Sequence, residues 1–457
     1  MFLLLHLFPW MMQLVPFHGL LHKHHFYRNT ERVLGNLIIH VIEANLIGKI
    51  LCNGVRQAPR YKNDLNLASY GIQANPNETW RGNLISLFYD SQLGLWPSLT
   101  TNTVTNKTDE VNGGIPQKSD ISKHLAKVES DLESLVPNTN FDGFAVIDFE
   151  KYLPWWSLMN DGIYKIYHDA SIAYYRSENP SITNISLINA GARIDYEMAV
   201  KLFILNTIKR LRELRPRAKW GYYMYPFCAK IANSGYFCDG KLKILNERAH
   251  WLYQNSFALY PNCYLHPRDI PDTEMRALYI LKRMNEAKRI SDYVGDVDIP
   301  IFPYIRYHYV QEPFPNFLTP VDMENSIGQA IDAGSSGIIL WGDYSDFGDC
   351  SLLVQYIKNT LGPIARNMLS YANSCSDCVC GGNGRCVKSL FLNQPVTDSE
   401  SLLKSEQIYD KFWEIPYYYN KSLESFGNNI CRCYAAFDGY ACQCYAGWSG
   451  PQCQTES

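Results

Sequence analysis

Residues 141–150, FDGFAVIDFE, are the stretch from which the fold is read. Asp142 and Gly143 supply a turn, after which Phe144, Val146 and Ile147 form the β-rich apolar body of a buried strand. Asp148 and Glu150 stand at i and i+2, so on a strand both carboxyls point to one face. Two acids at the end of an apolar strand are costly unless they face a cleft and share a task. In a parallel barrel, the C-terminal end of a strand is where such a cleft forms. A bare D-x-E also fits a strand that runs into a solvated loop, so the flanking sequence has to discriminate.

Working outward, the flanks alternate between strand-like and helix-like segments. Upstream, Ile121–Leu135 places Leu125, Val128, Leu132 and Leu135 on one helical face, and Ile85–Tyr89 is a short apolar strand entering FYDSQLGLWP, a loop dense in ligand-contacting groups. Downstream, Ala199–Leu214 is amphipathic, Trp220–Tyr225 is a strand ending at Pro226, and Glu274–Ser291 is a helix. Ile299–Tyr307 then reads as a strand, Glu324–Ala333 as a helix and Gly337–Trp341 as a last apolar strand. Strands and helices alternating at this spacing indicate an α/β fold of the parallel TIM-like (β/α) barrel type.

The 457 residues fit one barrel-sized domain plus a smaller module. A formal net charge of -3 gives no global attraction to nucleic acid or to an acidic membrane, so a polyanionic ligand must be met by local groups. The 32 Tyr, 20 Phe and 10 Trp suit a groove that stacks on sugar rings, though large cores also use aromatics. Of 14 cysteines, nine follow residue 350, which indicates an oxidising compartment and a disulfide-stapled C-terminal module. Its ending, CQCYAGWSGPQC, has the spacing flavour of an EGF-like module; a zinc site is the competing reading, without the paired histidine it would need. Sequons at Asn77, Asn106, Asn184 and Asn420 fit glycosylation on a secretory route. Residues 1–28 form an apolar signal-like or atypical N-terminus, lacking a basic start and a small-residue cleavage site. The domain reading is then a barrel over 33–372 and a cysteine-rich EGF-like module over 373–457. No transmembrane anchor is evident, and the polar end PQCQTES carries no tail-anchor or lipid-anchor signal.

Several stretches taken together resemble the hyaluronidases, glycoside hydrolase family 56. They are FYDSQLGLWP (88–97), GGIPQ (113–117), FDGFAVIDFEKYLPWW (141–156), RPRAKWGYYMYPFC (215–228), ALYPNCYLHP (258–267) and GIILWGDYSD (337–346), followed by the cysteine-rich tail. The resemblance covers about residues 70 to 453 and implies a distorted barrel with an appended cysteine-rich module. It implies Glu150 as general acid/base and Asp148 as the group that orients the substrate acetamide and raises the pKa of Glu150. It also implies a groove lined by Tyr89, Tyr223, Tyr264, Tyr304 and Trp341, with Tyr223 and Tyr264 positioning the acetamide and Trp341 stacking on it. The disulfides it implies are Cys52–Cys350, Cys228–Cys238, Cys375–Cys386, Cys380–Cys442 and Cys444–Cys453, leaving Cys263, Cys378, Cys431 and Cys433 unassigned. The expected protein is a monomeric, secreted or lysosomal endo-β-N-acetylhexosaminidase acting on hyaluronan, with chondroitin a further substrate, by a retaining, substrate-assisted reaction. No metal or organic cofactor is implied.

The sequence departs from the family pattern at four places. Leu153 replaces an arginine that could clamp a uronate carboxylate, Phe227 stands where an aspartate is common, and Val310 where an acid is common. Lys151, beside Leu153, is expected on the opposite face of the strand. Upstream of Cys52, IIHVIEANLIGKIL lacks the family's first-strand pattern, so either that strand has diverged or the chain before about residue 50 is atypical. The departures favour, as an alternative, a catalytically weak glycosaminoglycan-binding or adhesion protein on the same fold. A chitinase-type barrel is a third reading, but the spacing from Asp142 to Glu150 is one residue too long and an intermediate acid is missing.

Overall fold

The computed structural model describes residues 66–75, 81–101, 107–228, 238, 240–294, 299–313, 315–342, 351–389, 437 and 439–456, together with the backbone of residues 38–41 and 350. The central sheet is parallel and built in two arcs. One runs β3 (Ile85–Tyr89), β6 (Phe144–Asp148), β7 (Lys219–Tyr222); the other runs β2 (Ile72–Ala74), β1 (Ile38–Val41), β9 (Gly337–Trp341), β8 (Tyr304–Arg306). Residues 258–263 join the arcs on one side. Tyr223 bridges Tyr260, Leu259 bridges Ile301 and Asn262 bridges Tyr304, all in parallel, so this segment stands in the ring between β7 and β8. On the other side Asn75 substitutes for a ladder. Its buried amide donates to the Ile85 carbonyl (2.8 Å) and accepts from the Leu84 and Ile85 N–H groups (3.1 Å each), linking the end of β2 to the start of β3. The ring is therefore a distorted barrel.

The strands form where the sequence is most continuously apolar. Ile85, Leu87, Phe88, Phe144, Ala145, Val146, Ile147, Ile338, Ile339 and Leu340 are all buried in one core with the inward faces of the helices. Such runs are what a parallel sheet covered on both faces requires. Ile38–Val41 lies between β2 and β9 in parallel register, so the divergent N-terminal stretch supplies a barrel strand.

Helices α1 (Ile121–Leu135), α2 (Lys165–Glu178), α3 (Ile185–Leu214), α4 (Gly240–Arg248), α5 (His250–Tyr253), α6 (Thr273–Tyr293), α7 (Pro320–Asp332), α8 (Cys350–Tyr356) and α9 (Gly362–Cys380) surround the ring. Asp120 caps α1, Asn184 caps α3, Asp272 caps α6 and Thr319 caps α7, each accepting a first-turn N–H. Helix α3 begins at Ile185, fourteen residues before the expected Ala199, because its first turns turn Ile185, Leu187, Ile194 and Met198 to solvent and so mask the helical period. A hairpin of β4 (Ser98–Thr101) and β5 (Thr108–Val111) follows the loop after β3.

At the C-terminal end no backbone break falls at residue 372. Helix α9 runs through it, with Ile364, Ala365, Met368 and Leu369 in the barrel core and Cys375, Val379 and Cys380 in a separate small core with Cys386, Phe437 and Cys453. The change of core falls within one helix. Strands β10 (Gly384–Lys388) and β11 (Tyr440–Cys444) form an antiparallel ribbon, stapled to α9 by Cys375–Cys386 and Cys380–Cys442, with Cys444–Cys453 beyond it. The ribbon is docked on the barrel through buried Asp332, which takes Lys388 at 2.6 Å and the Tyr440 hydroxyl at 2.5 Å. Cys228–Cys238 is also formed, Cys378 is disulfide-bonded, and Cys263 is a buried free thiol. Cys52, Cys431 and Cys433, the side chain of Cys350, and the sequons at Asn77, Asn106 and Asn420 lie outside the described residues. No described helix is long and apolar enough to cross a membrane.

Candidate active site

Strand β6 delivers Asp148 at its last residue, directly opposite Tyr89 in the register with β3. Beyond it Phe149 folds into the core and stacks on Trp96, with ring centroids 4.3 Å apart, and Tyr152 is fully buried. Glu150 and Lys151 are thus a two-residue ledge held between buried aromatics. The strand has ended, so its alternation no longer governs direction. Glu150 still meets Asp148, and the two carboxyls hydrogen-bond to each other.

The ledge faces a cleft of about 700 Å³ lined by Tyr89, Asp90, Asp148, Glu150, Lys151 and Tyr167 among others. Burial pushes the Asp148 pKa well above the usual carboxylate range, and the charge of Glu150, its hydrogen bond and the charge of Asp90 push it further. Glu150 is raised too, by desolvation, against the opposing effect of its hydrogen bond to Asp148. Glu150 is the more exposed of the two to cleft water, and its rise is the smaller. The two carboxyls therefore titrate as a coupled pair, with Asp148 pushed up the further. Among the described residues no Lys or Arg pairs with either acid.

The loop after β3 is fixed from outside. The buried ring of His124 on α1 accepts from the Leu95 N–H at Nδ1 (2.9 Å), so Nε2 carries the proton and donates to Thr207 Oγ1 on α3 (2.8 Å). Burial lowers the His124 pKa to about 4, which keeps the ring neutral in this role. Asp131 accepts the neighbouring Gly94 N–H at 2.9 Å. This scaffold holds the loop that carries Asp90, which lines the cleft together with Glu150.

The five expected groove aromatics all lie at or just beyond strand ends, and they divide into two groups. Tyr89 lines the cleft. Tyr223, Tyr264 and Tyr304 are buried behind the acids: Tyr223 and Tyr304 are edge to face at 5.0 Å, and the hydroxyls of Tyr223 and Tyr264 hydrogen-bond. Asn262 orders them by donating to the Tyr223 hydroxyl (2.6 Å) and accepting the Tyr264 N–H (2.8 Å). Charges on Glu150 and Asp148 add to the burial that raises Tyr223, so the aromatic cluster adjoins the acid pair. Trp341 stacks on Tyr264 at 5.8 Å, with the Arg306 guanidinium 4.7 Å over the indole.

Asp90, Lys151, Tyr164 and Tyr167 escaped the sequence reading. Asp90 sits within a stretch singled out for ligand contacts. Lys151 was assigned the wrong face because strand alternation was carried past the end of β6. For Tyr164, raised to about 12 by burial and by the charge of Glu150, the sequence carries no comparable signal. Leu153 and Phe227 are core residues, so neither borders the cleft, and Val310 packs against the core.

A barrel with a coupled acid pair at a strand's C-terminal end defines a class, the barrel glycosidases. Comparison with known proteins narrows it. A family profile described as Hyaluronidase matches residues 52–457. Human Hyaluronidase-1 is 31% identical over 356 residues, covering 75% of this chain and 80% of that protein. The Echis ocellatus hyaluronidase is 33% identical over 341 residues, covering 72% and 73%. Bee venom hyaluronidase, crystallised with a hyaluronic acid tetramer, superposes with a TM-score of 0.65 at 26% identity, covering 73% of this chain and 99% of its own. The chain belongs to the hyaluronidase family and is a glycoside hydrolase.

Proposed function

We propose that the chain is an endo-β-N-acetylhexosaminidase that hydrolyses hyaluronan, and chondroitin as a second substrate, with retention and substrate assistance. The observation that carries this reading is the hydrogen-bonded Asp148–Glu150 pair on the cleft. Two-carboxylate glycosidases hold their acids about 5–9.5 Å apart, on opposite sides of the anomeric carbon. Carboxyls in contact with each other leave no room for that carbon between them. The nucleophile then has to come from the substrate, and an N-acetylhexosamine carries one in its acetamide oxygen.

The acetamide N–H donates to Asp148, which favours the ionised form there and leaves the shared proton on Glu150. Glu150 protonates the glycosidic oxygen as the acetamide oxygen bonds to C1, the C1–O bond breaks, and an oxazolinium forms. Glu150, now a carboxylate, takes a proton from water, whose oxygen attacks C1 and releases the acetamide. Two inversions give net retention. Tyr223 and Tyr264 hold the acetamide and Trp341 stacks against it. The bee venom relative's complex with a hyaluronic acid tetramer supports the substrate class. The disulfides support an oxidising setting, outside the cell or in a lysosome, with residues 373–457 as an EGF-like module.

Size-exclusion chromatography of hyaluronan and of chondroitin after incubation with the purified protein tests this. Shortened chains with new N-acetylhexosamine reducing ends are expected, with the hyaluronan product in the β-configuration when first formed. Intact polymers after incubation with folded protein would overturn it.

A further inference from the structure

The cleft carries three carboxyl groups, Asp90, Asp148 and Glu150, and one basic residue among those that line it, Lys151. An anionic polymer entering such a cleft is repelled by ionised carboxylates, and among the lining residues this ammonium is the group that attracts it. Lys151 is placed there by the chain's local geometry. Phe149 and Tyr152 are driven into the core on either side of the ledge, so Lys151 projects beside Glu150. Its Nζ lies 3.6 Å from Asp90 Oδ2, beyond hydrogen-bonding distance, and its side chain keeps 45% of its exposure. The ammonium is therefore only loosely committed to Asp90 and retains donors for a second partner.

We propose that Lys151 binds the carboxylate of the uronate next to the scissile N-acetylhexosamine, bridging it to Asp90. The residue thereby takes over the charge recognition that the buried Leu153 side chain cannot supply. The assignment rests on the glycosaminoglycan reading above, since it is a uronate-containing polymer that brings a carboxylate to this ledge. It makes Lys151 a specificity residue that does not touch the reacting atoms. A bidentate guanidinium is not needed, because a flexible ammonium neutralises a carboxylate as a point charge.

The test compares hyaluronan with carboxyl-reduced hyaluronan, in which the carboxylates are uncharged alcohols, for the unaltered protein, Lys151→Met and Lys151→Arg. Lys151→Met is expected to lower kcat/KM on hyaluronan about tenfold, chiefly through KM, with Arg restoring most of it. On the carboxyl-reduced polymer the same variant should lose nothing further. Equal losses on both polymers, or no loss on hyaluronan, would overturn the proposal. Binding of a hyaluronan hexasaccharide and its carboxyl-reduced form to the Glu150→Gln protein, with and without Lys151→Met, reads the contact apart from turnover. A Lys151-dependent difference between the two ligands, together with an unaltered protein that never cleaves hyaluronan, would uphold the contact and sink the hydrolase reading. Cleavage with no such difference would do the reverse.

Discussion

At the cleft, Asp148 and Glu150 face each other with no Lys or Arg among the described residues paired to either, whereas between α4 and α6 a buried acid is fully served. There Glu286, 1% exposed, takes both Arg289 Nε (2.8 Å) and Nη2 (2.9 Å) and the Asn246 amide (2.8 Å), while Arg289 reaches on to Glu247 at 2.7 Å. Both regions remove carboxyls from bulk water and incur the associated desolvation cost. One gives both its carboxylates a shared guanidinium and joins two helices. The other leaves the compensation to a proton, and that proton is what a glycosidase moves. The contrast distinguishes an acid kept for stability from an acid kept for chemistry, where burial alone would not.

The contrast is broken most severely at its structural member. Glu286→Ala removes the bidentate partner of buried Arg289, leaving it Glu247 and the Lys243 carbonyl, and is expected to cost about 3 kcal/mol, read as a lower thermal midpoint, with activity preserved well below it. Buried His124 occupies the middle ground, since it is neutral and doubly hydrogen-bonded. Its folded pKa, about 4, lies below the ordinary 6.5, so the native state binds fewer protons between those values and stability is lost as pH falls through that window. The difference amounts to about 3 kcal/mol, and His124→Gln should flatten that acid limb in melts recorded from pH 7 to pH 4. Asp148→Asn has the smallest effect on stability and the opposite sign. A raised folded pKa means that stability falls as pH rises from the ordinary carboxylate range, so the Asn variant should gain stability at neutral pH. Its turnover should fall about 100-fold or more, because the acetamide exchanges an anionic acceptor for a neutral amide oxygen that does not offset the charge of the oxazolinium.

The sequence made legible whatever depended on period and apolar continuity. Ile85–Tyr89, Ile121–Leu135 and Gly337–Trp341 are found with the same bounds as expected, since each is a dense run with a clear turn or cap at its start. The 258–263 strand was hidden because Pro261 interrupts it and its partners bond through isolated bridges. The acid pair was legible from spacing, although Glu150 reaches Asp148 after the strand has ended. Lys151 was not legible, because its direction is set by where Phe149 and Tyr152 are buried, a tertiary fact. That position 153 lies in the core was hidden for the same reason: one residue's shift along a ledge decides between cleft and core.

The central claim is that the uncompensated pair is catalytic, and Glu150→Gln tests it most directly, with hyaluronan depolymerisation and thermal stability measured on the same preparation. The account predicts a loss of at least about 1,000-fold in rate with an unchanged or higher melting midpoint, since Gln keeps the volume and removes the charge. A variant that cleaves hyaluronan at the normal rate, or one that loses activity only because it unfolds, would contradict it.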